Sequence, residues 1–371
     1  VKNVEDYLVP WLEGQKMYIS DHIELAWERP ELHRMMSNEN PMQPSEKVLD
    51  AINEHGRVAN RYPDRGGAVR SKIAEMWGLD GPENVMIGNG SSEVFDNVFR
   101  SFLQPGDQVI QHTPCFGIYK LRCKALGGEL VSVPMIYDRQ AGELHFDPDA
   151  VLDAITPKTK IIVIANPNNP TGNLMEEEHF RRIADTGIPF IVDEAYINIA
   201  GVENSMIGLL QDYENVMLTY TLSKAYGLAG LRFGYVVARK KVIDAVSVML
   251  IPWNVGTIPM GAALAALEDQ EAMKERVEFI RREVAFVQSE LEQIPGLNVF
   301  HSKGNYILFD GQGAGKTGME LIEYAQKRDV ILRPVSAAYG SDGWWRLTVG
   351  SAEENRLAVS IVKEFYSGNA N

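Results

Sequence analysis

The chain has 371 residues, 45% of them hydrophobic, enough for one large core and one smaller one. Its formal net charge is −14 with no long basic run, which disfavours nucleic acid and anionic membrane as partners but not small anions held by a few arginines. No apolar stretch approaches the ~18 residues of a membrane span; the polar start Val1–Asp6 is unlike a signal peptide, and Cys115 and Cys123 lack metal or redox spacing, so a cytoplasmic protein is expected.

Residues 1–44 carry mixed charge and Pro10, Pro30, Pro41 and Pro44, which reads as an N-terminal arm, followed by a short helix through Val48, Leu49 and Ile52. From about Val85 to Val237, short β-branched runs alternate with helix-length segments. The clearest runs are Val85–Ile87, Gln108–Ile110, Ile161–Ile164, Phe190–Val192 and Val216–Leu218. Continuous apolar strands of this kind predict a mainly parallel sheet covered on both faces. A long helix is predicted over 268–294, because Val277, Ile280, Val284, Val287, Leu291 and Ile294 alternate spacings of three and four. Pro295-Gly296 ends it. Strands are expected at Tyr306–Phe309, Val330–Leu332 and Trp345–Val349, and a last helix from about Ala352. The fold class is therefore α/β. A large domain over 45–267 carries the sheet, and a smaller α+β domain takes the arm 1–44 and residues 268–371, including the linking helix.

Four motifs carry chemistry. Gly88-Asn89-Gly90-Ser91-Ser92-Glu93 lies between a strand and a helix expected to start near Ser92. Free N–H groups and the helix dipole suit a phosphate there, while Glu93 stands where a dinucleotide fingerprint needs its third glycine. Asn166-Pro167-Asn168-Asn169-Pro170-Thr171-Gly172 follows a strand, at the carboxyl end where ligands sit in α/β sheets. Asp193-Glu194-Ala195-Tyr196 places an acid at another strand end. Alone, Asp193 could cap a helix; beside a cofactor it would hold a pyridine nitrogen protonated. Thr221-Leu222-Ser223-Lys224-Ala225-Tyr226-Gly227 sets one lysine among small residues, with Arg232 eight positions later. That pattern suits an amine reaching a carbonyl carbon and an arginine holding a phosphate, the two needs of pyridoxal phosphate.

With Ser37-Asn38-Glu39-Asn40-Pro41, Asn60-Arg61-Tyr62-Pro63-Asp64 and Trp345-Arg346-Leu347-Thr348-Val349-Gly350, these motifs span nearly the whole chain. Together they resemble the aspartate-aminotransferase superfamily, the class I/II pyridoxal-phosphate aminotransferases, and most of all its histidinol-phosphate aminotransferases. The resemblance implies that Lys224 bonds the cofactor and then moves the proton between the substrate α-carbon and the cofactor. It implies that Asp193 pairs with the pyridine nitrogen and that Asn169 and Tyr196 hydrogen-bond the phenolic oxygen. Ser91, Ser92, Ser223 and Arg232 would hold the phosphate. Phe116 would stack on the ring where many relatives have tyrosine. Tyr62 matches a residue that reaches the neighbouring subunit's phosphate, which implies a homodimer with shared sites. Arg346 matches the carboxylate arginine, with Asn40 and Asn305 as weaker candidates nearby, and Arg333 matches an arginine near the substrate phosphate.

The expected reaction moves an amino group between a donor and a 2-oxo acid or related ketone, with histidinol phosphate and glutamate/2-oxoglutarate as the best match. Two alternatives keep the Lys224–Asp193 machinery: transamination of an aromatic or other L-amino acid, and a decarboxylase of the threonine-phosphate type or a C–S lyase. A pyridoxal-phosphate-binding regulator would need an added DNA-reading domain. The segment Tyr18–Trp27 departs from the tyrosine and proline-rich turn of the family, Tyr18 being the candidate for that tyrosine. His112 and His301 read as structural, and no metal spacing occurs. Gly311-Gln312-Gly313-Ala314-Gly315-Lys316-Thr317 resembles a phosphate-binding loop, but Asp310 stands where its first glycine belongs, so it reads as a turn.

Overall fold

The computed structural model describes residues 3–15, 21–138, 140–316, 319–335 and 343–368; Tyr18 and Thr317 lie outside them. Helix α1 (Asp21–Glu28) precedes a two-residue strand, His33–Arg34, which pairs in parallel with Val330–Ile331 and so ties the start of the chain to its last third.

The large sheet has seven strands: β1 (Val85–Asn89), β2 (Gln108–Thr113), β3 (Glu129–Pro134), β4 (Thr159–Ala165), β5 (Phe190–Asp193), β6 (Val216–Thr221) and β7 (Phe233–Ala238). Their spatial order is β1-β7-β6-β5-β4-β2-β3. Only β7 runs antiparallel to its neighbours. The inner strands are buried on both faces, as their unbroken apolar runs require. Helix α2 (Gly90–Phe102) follows β1, and α3 (Ile118–Ala125) follows β2.

The smaller sheet is antiparallel in the order β8-β9-β11-β10, with β8 (Asn298–Phe300), β9 (Tyr306–Asp310), β10 (Arg333–Pro334) and β11 (Trp344–Thr348). Helix α4 (Gln270–Leu291) buries Val277, Ile280, Val284, Val287 and Leu291, the predicted stripe. It starts two residues later than predicted, because Glu268 ends the preceding helix and Asp269 adopts a non-helical φ of −91° and ψ of 60°. Lys47 holds that break with an ion pair to Asp269 at 2.9 Å. Helix α5 (Ala352–Ser367) begins where expected, with a capping box between Ser351 and Glu354.

The Asn-Pro turn after β4 joins the two sheets. The Tyr306 hydroxyl donates to the Asn168 carbonyl at 2.5 Å, and the Lys303 N–H to the Gly172 carbonyl at 2.8 Å. A Cβ at Gly172 would fall 2.6 Å from Ser302 Cα, so this approach needs glycine.

Candidate active site

Strands β4, β5 and β6 end at the same edge of the sheet, with Ala165 opposite Asp193 and Asp193 opposite Thr219. At that edge α2 starts at Gly90, two residues before the expected Ser92. The Glu93 carboxylate braces the turn, accepting from the Asn89 N–H at 2.5 Å and the Asn254 amide at 3.1 Å. The first-turn N–H groups of a helix have no partner within it, and here Ser91 and Ser92 supply both N–H and hydroxyl. Gly90 has φ +72°, and a Cβ there would lie 2.4 Å from Arg232 Nη2. A Cβ on Gly234 would lie 2.3 Å from the Ser91 nitrogen. Two missing side chains thus let β7 and Arg232 close on the helix start. Gly234 pairs with Thr221, whose hydroxyl donates to Ser223 Oγ at 2.9 Å. Ser91, Ser92, Ser223 and Arg232 therefore gather around one helix N-terminus.

Asp193 is buried at the tip of β5. Among the described residues its hydrogen bonds come from neutral donors: the Tyr119 hydroxyl at 2.5 Å, the Thr219 hydroxyl at 3.2 Å and the Ala195 N–H at 3.2 Å. Burial pushes its carboxyl up from the ordinary range, against the pull of those donors. A buried acid in this state calls for a cation. Lys224 lies on the turn after β6, its Nζ donating to the carbonyls of Ser37 at 3.2 Å and Asn38 at 2.9 Å, and sitting 5.7 Å from the centre of the Tyr196 ring. Burial lowers its pKa to about 7, helped by Arg346 and Arg232 and opposed by Glu39 and Asp193. Near neutral pH about half of it is therefore the uncharged nucleophile, where an ordinary lysine would be almost wholly protonated.

The Tyr196 hydroxyl accepts from the Asn38 amide at 2.8 Å, and Asn38 is in turn fixed by Thr348, its N–H donating to Oγ1 at 2.9 Å. Arg346 donates to Asn169 Oδ1 at 2.8 Å and to the Met36 carbonyl at 2.5 Å. Arg333 stands directly opposite Arg346 across the β10–β11 pair. Residues so paired project from the same face with their Cβ atoms close together.

Residues 31–362 match the family model for aminotransferase class I and II. The chain is 31% identical to histidinol-phosphate aminotransferase of Methanothermobacter thermautotrophicus, over 98% of this chain and 96% of that one. It is 34% identical to the Anaeromyxobacter sp. enzyme of the same name, over 96% of each. It superposes on histidinol-phosphate aminotransferase from Sinorhizobium meliloti, in complex with pyridoxal-5'-phosphate, with a TM-score of 0.85 at 23% identity, covering 98% of both chains.

The chain belongs to the class I and II aminotransferases. It is a pyridoxal-phosphate-dependent enzyme, and its residues fit that cofactor on their own terms. A buried carboxylate with only neutral donors suits a protonated pyridine nitrogen. A helix start cleared by two glycines and faced by an arginine suits a phosphate. A lysine of lowered pKa suits an aldehyde.

Other candidates fall in different places. Phe116 is half-buried and meets Tyr119 edge-on at 5.9 Å, one residue removed from Asp193. Asn40 points at the backbone of the lysine turn, its amide donating to the carbonyls of Lys224 at 3.2 Å and Ala225 at 3.3 Å. Asn305 is buried and donates to the Glu39 carbonyl at 3.1 Å. Tyr62 is 79% exposed and stacks on Trp253 at 4.6 Å between ring centres. His112 is buried, accepting the Asp147 N–H at 3.1 Å, while exposed His301 meets Gln288. Lys316 donates to the Phe365 carbonyl, so the lysine of the phosphate-loop look-alike is spent on capping α5. Among the described residues no cluster could hold a metal, and no helix is long and apolar enough to cross a membrane. Tyr119, Thr219 and Asn38 were missed in the sequence. Only Asn38 leaves a trace there: its left-handed φ of +53° is one that asparagine tolerates.

Proposed function

We propose that this aminotransferase acts on histidinol phosphate, with glutamate or 2-oxoglutarate as the second partner. The observation that carries the reading is the Arg333–Arg346 pair. Like charges placed opposite each other on a sheet repel, so the pair favours an anion between them. Histidinol phosphate brings a phosphate and no carboxylate, whereas glutamate brings carboxylates. Two adjacent guanidinium forks can serve both in turn. The relatives' names support the same substrate.

The cofactor, when bound, supplies the electron sink that lets the substrate α-carbon lose its proton. The chain supplies the rest. Asp193, supported by Tyr119 and Thr219, would hold the ring nitrogen protonated. Asn169 and Tyr196, each already placed by a partner, Arg346 and Asn38, would serve the phenolic oxygen. Phe116 would stack on the ring. The Nζ of Lys224 would hold the cofactor and, when free, would carry the proton between the substrate α-carbon and the cofactor. Its lowered pKa lets it accept that proton near neutral pH.

Tyr62 and Trp253 form an exposed aromatic pair, with Val248 77% and Ile251 66% exposed in the same stretch as Trp253. We read this surface as a homodimer interface that brings Tyr62 to the partner's phosphate site, in a cytoplasmic enzyme. Steady-state assays test the substrate. With 2-oxoglutarate as acceptor, histidinol phosphate should exceed phenylalanine and tyrosine in kcat/KM by at least about 100-fold, the ~3 kcal/mol that a matched phosphate adds. Threonine phosphate, which shares the phosphate, should not be transaminated at a comparable rate. Preference for an aromatic amino acid, or release of carbon dioxide from threonine phosphate, would replace histidinol phosphate with that alternative.

A further inference from the structure

The arm segment that departs from the family pattern carries a feature on its described part. Helix α1 is anchored by Ala26, which is buried in a small cluster with Leu32, Met36 and Ile331. His22 lies four residues before Ala26 and so shares its inward face. That face meets β10, and both ring nitrogens of His22 lie 2.8 Å from Arg333 Nη1. A guanidinium has only donors, so one of the two ring nitrogens accepts from Nη1 and carries no proton, which makes the imidazole neutral. The charged groups acting on His22 are Arg333 and Arg346 from the small sheet and Asp21 from its own helix. Burial and the two arginines hold its pKa down at about 4, against Asp21.

We propose that His22 is a third anion-recognition residue of the substrate site, accepting from Arg333 when no anion is present and donating to the phosphate that Arg333 and Arg346 hold. The inference rests on the reading of those arginines as the substrate-anion pair. Its chemistry is a change of role. A phosphate dianion between the guanidinium groups reverses the local field, and His22 takes one proton from solvent to become a donor. A carboxylate carries half that charge and leaves His22 neutral. One site thus adjusts its own charge to two partners that differ by one unit. The pKa is raised only in the phosphate complex. The extra affinity is therefore present below that raised value and lost as pH rises through it.

The test follows the ring of His22 by NMR in holoenzyme with labelled histidine, the signal being assigned from its loss in His22→Asn. Without added anion the ring should titrate below about pH 5; with saturating inorganic phosphate its midpoint should rise by about 2 units, the size expected for a nearby opposite charge. In Arg333→Gln, phosphate should move it by less than half as much. In turnover at about pH 5, His22→Asn should raise KM for histidinol phosphate about tenfold and leave KM for glutamate within about twofold, with kcat little changed in both. Above about pH 7 the variant's KM for histidinol phosphate should converge on that of wild type. A midpoint that phosphate does not move overturns the proposal. So does an equal shift in Arg333→Gln, which would place the anion elsewhere. The titration needs no turnover. A phosphate-shifted His22 in an enzyme that ignores histidinol phosphate would sink the substrate and keep this inference, and the opposite result would sink this inference alone.

Discussion

Lys224 sits among the two influences that lower an amine's pKa, burial and neighbouring guanidinium groups. Capture of free pyridoxal phosphate by the apoenzyme should accelerate as pH rises through about 7 and then level off. A rate still climbing at pH 10, where free lysine titrates, would show that the site does not tune this amine. Glu194, next to Asp193, is a second perturbed group. Its carboxylate accepts the Ser205 hydroxyl and the Met206 N–H, both at 2.6 Å, yet burial pushes its pKa up to about 7. For an acid with a raised folded-state pKa, the favourable protonated contribution is full below pH 4.5 and lost as pH climbs through about 7. Glu194→Gln should therefore raise the melting temperature by about 2 °C at pH 8.5 and leave it unchanged near pH 4.5. A variant destabilised equally at both pH values would show that Glu194 acts through its hydrogen bonds and packing and not through its charge. At this scale the sequence was readable where a residue type is unusual for its place, as with Lys224 in a small-residue turn. It was silent where a partner is contributed by packing. Tyr119 reaches Asp193 across 74 positions, and nothing around it signals that bond.

The helix start at Gly90 is the element on which the proposed phosphate site depends. Gly90→Ala would add a Cβ at 2.4 Å from Arg232 and force a left-handed alanine. The backbone term alone is about 1–2 kcal/mol, and a loss of that size at the phosphate cradle corresponds to about a five- to thirtyfold fall in cofactor affinity. Equilibrium dialysis of pyridoxal phosphate measures this, and an unchanged affinity would mean that the phosphate does not sit at this helix end. The runs at Val85, Gln108, Ile161, Phe190 and Val216 were legible because buried parallel strands are uniformly apolar. Glu129–Pro134 is an edge strand, mostly exposed or half-buried and closed by proline, so its sequence looks like a loop. Phe233–Ala238 begins directly after Arg232, where Gly234 reads first as part of the lysine–arginine chemistry and only then as a strand residue that must clear Ser91. The Arg333–Arg346 pairing depends on a two-residue strand, too short for any periodicity to reveal.

The whole molecule places two sheets on either side of the Asn-Pro turn, with the lysine turn, the Asp193 strand end and the arginine pair opening toward it. One surface remains outside that account, the aromatic pair of Tyr62 and Trp253. If it is a subunit interface, the enzyme sediments as a dimer at micromolar concentration, and Trp253→Asp becomes a monomer with sharply reduced activity. A fully active wild-type monomer would end the shared-site reading. The central claim, that Lys224 works on histidinol phosphate at this site, is tested most directly by absorbance. Wild-type and Lys224→Ala enzymes, both loaded with cofactor, are mixed with histidinol phosphate without acceptor, and the pyridoxamine band is followed through one turnover. Wild type should convert within seconds, and the variant, still holding cofactor, should be slower by about 10³-fold or more. Equal rates in both would remove Lys224 from the chemistry, and a wild-type spectrum that histidinol phosphate leaves unchanged would contradict the proposed substrate.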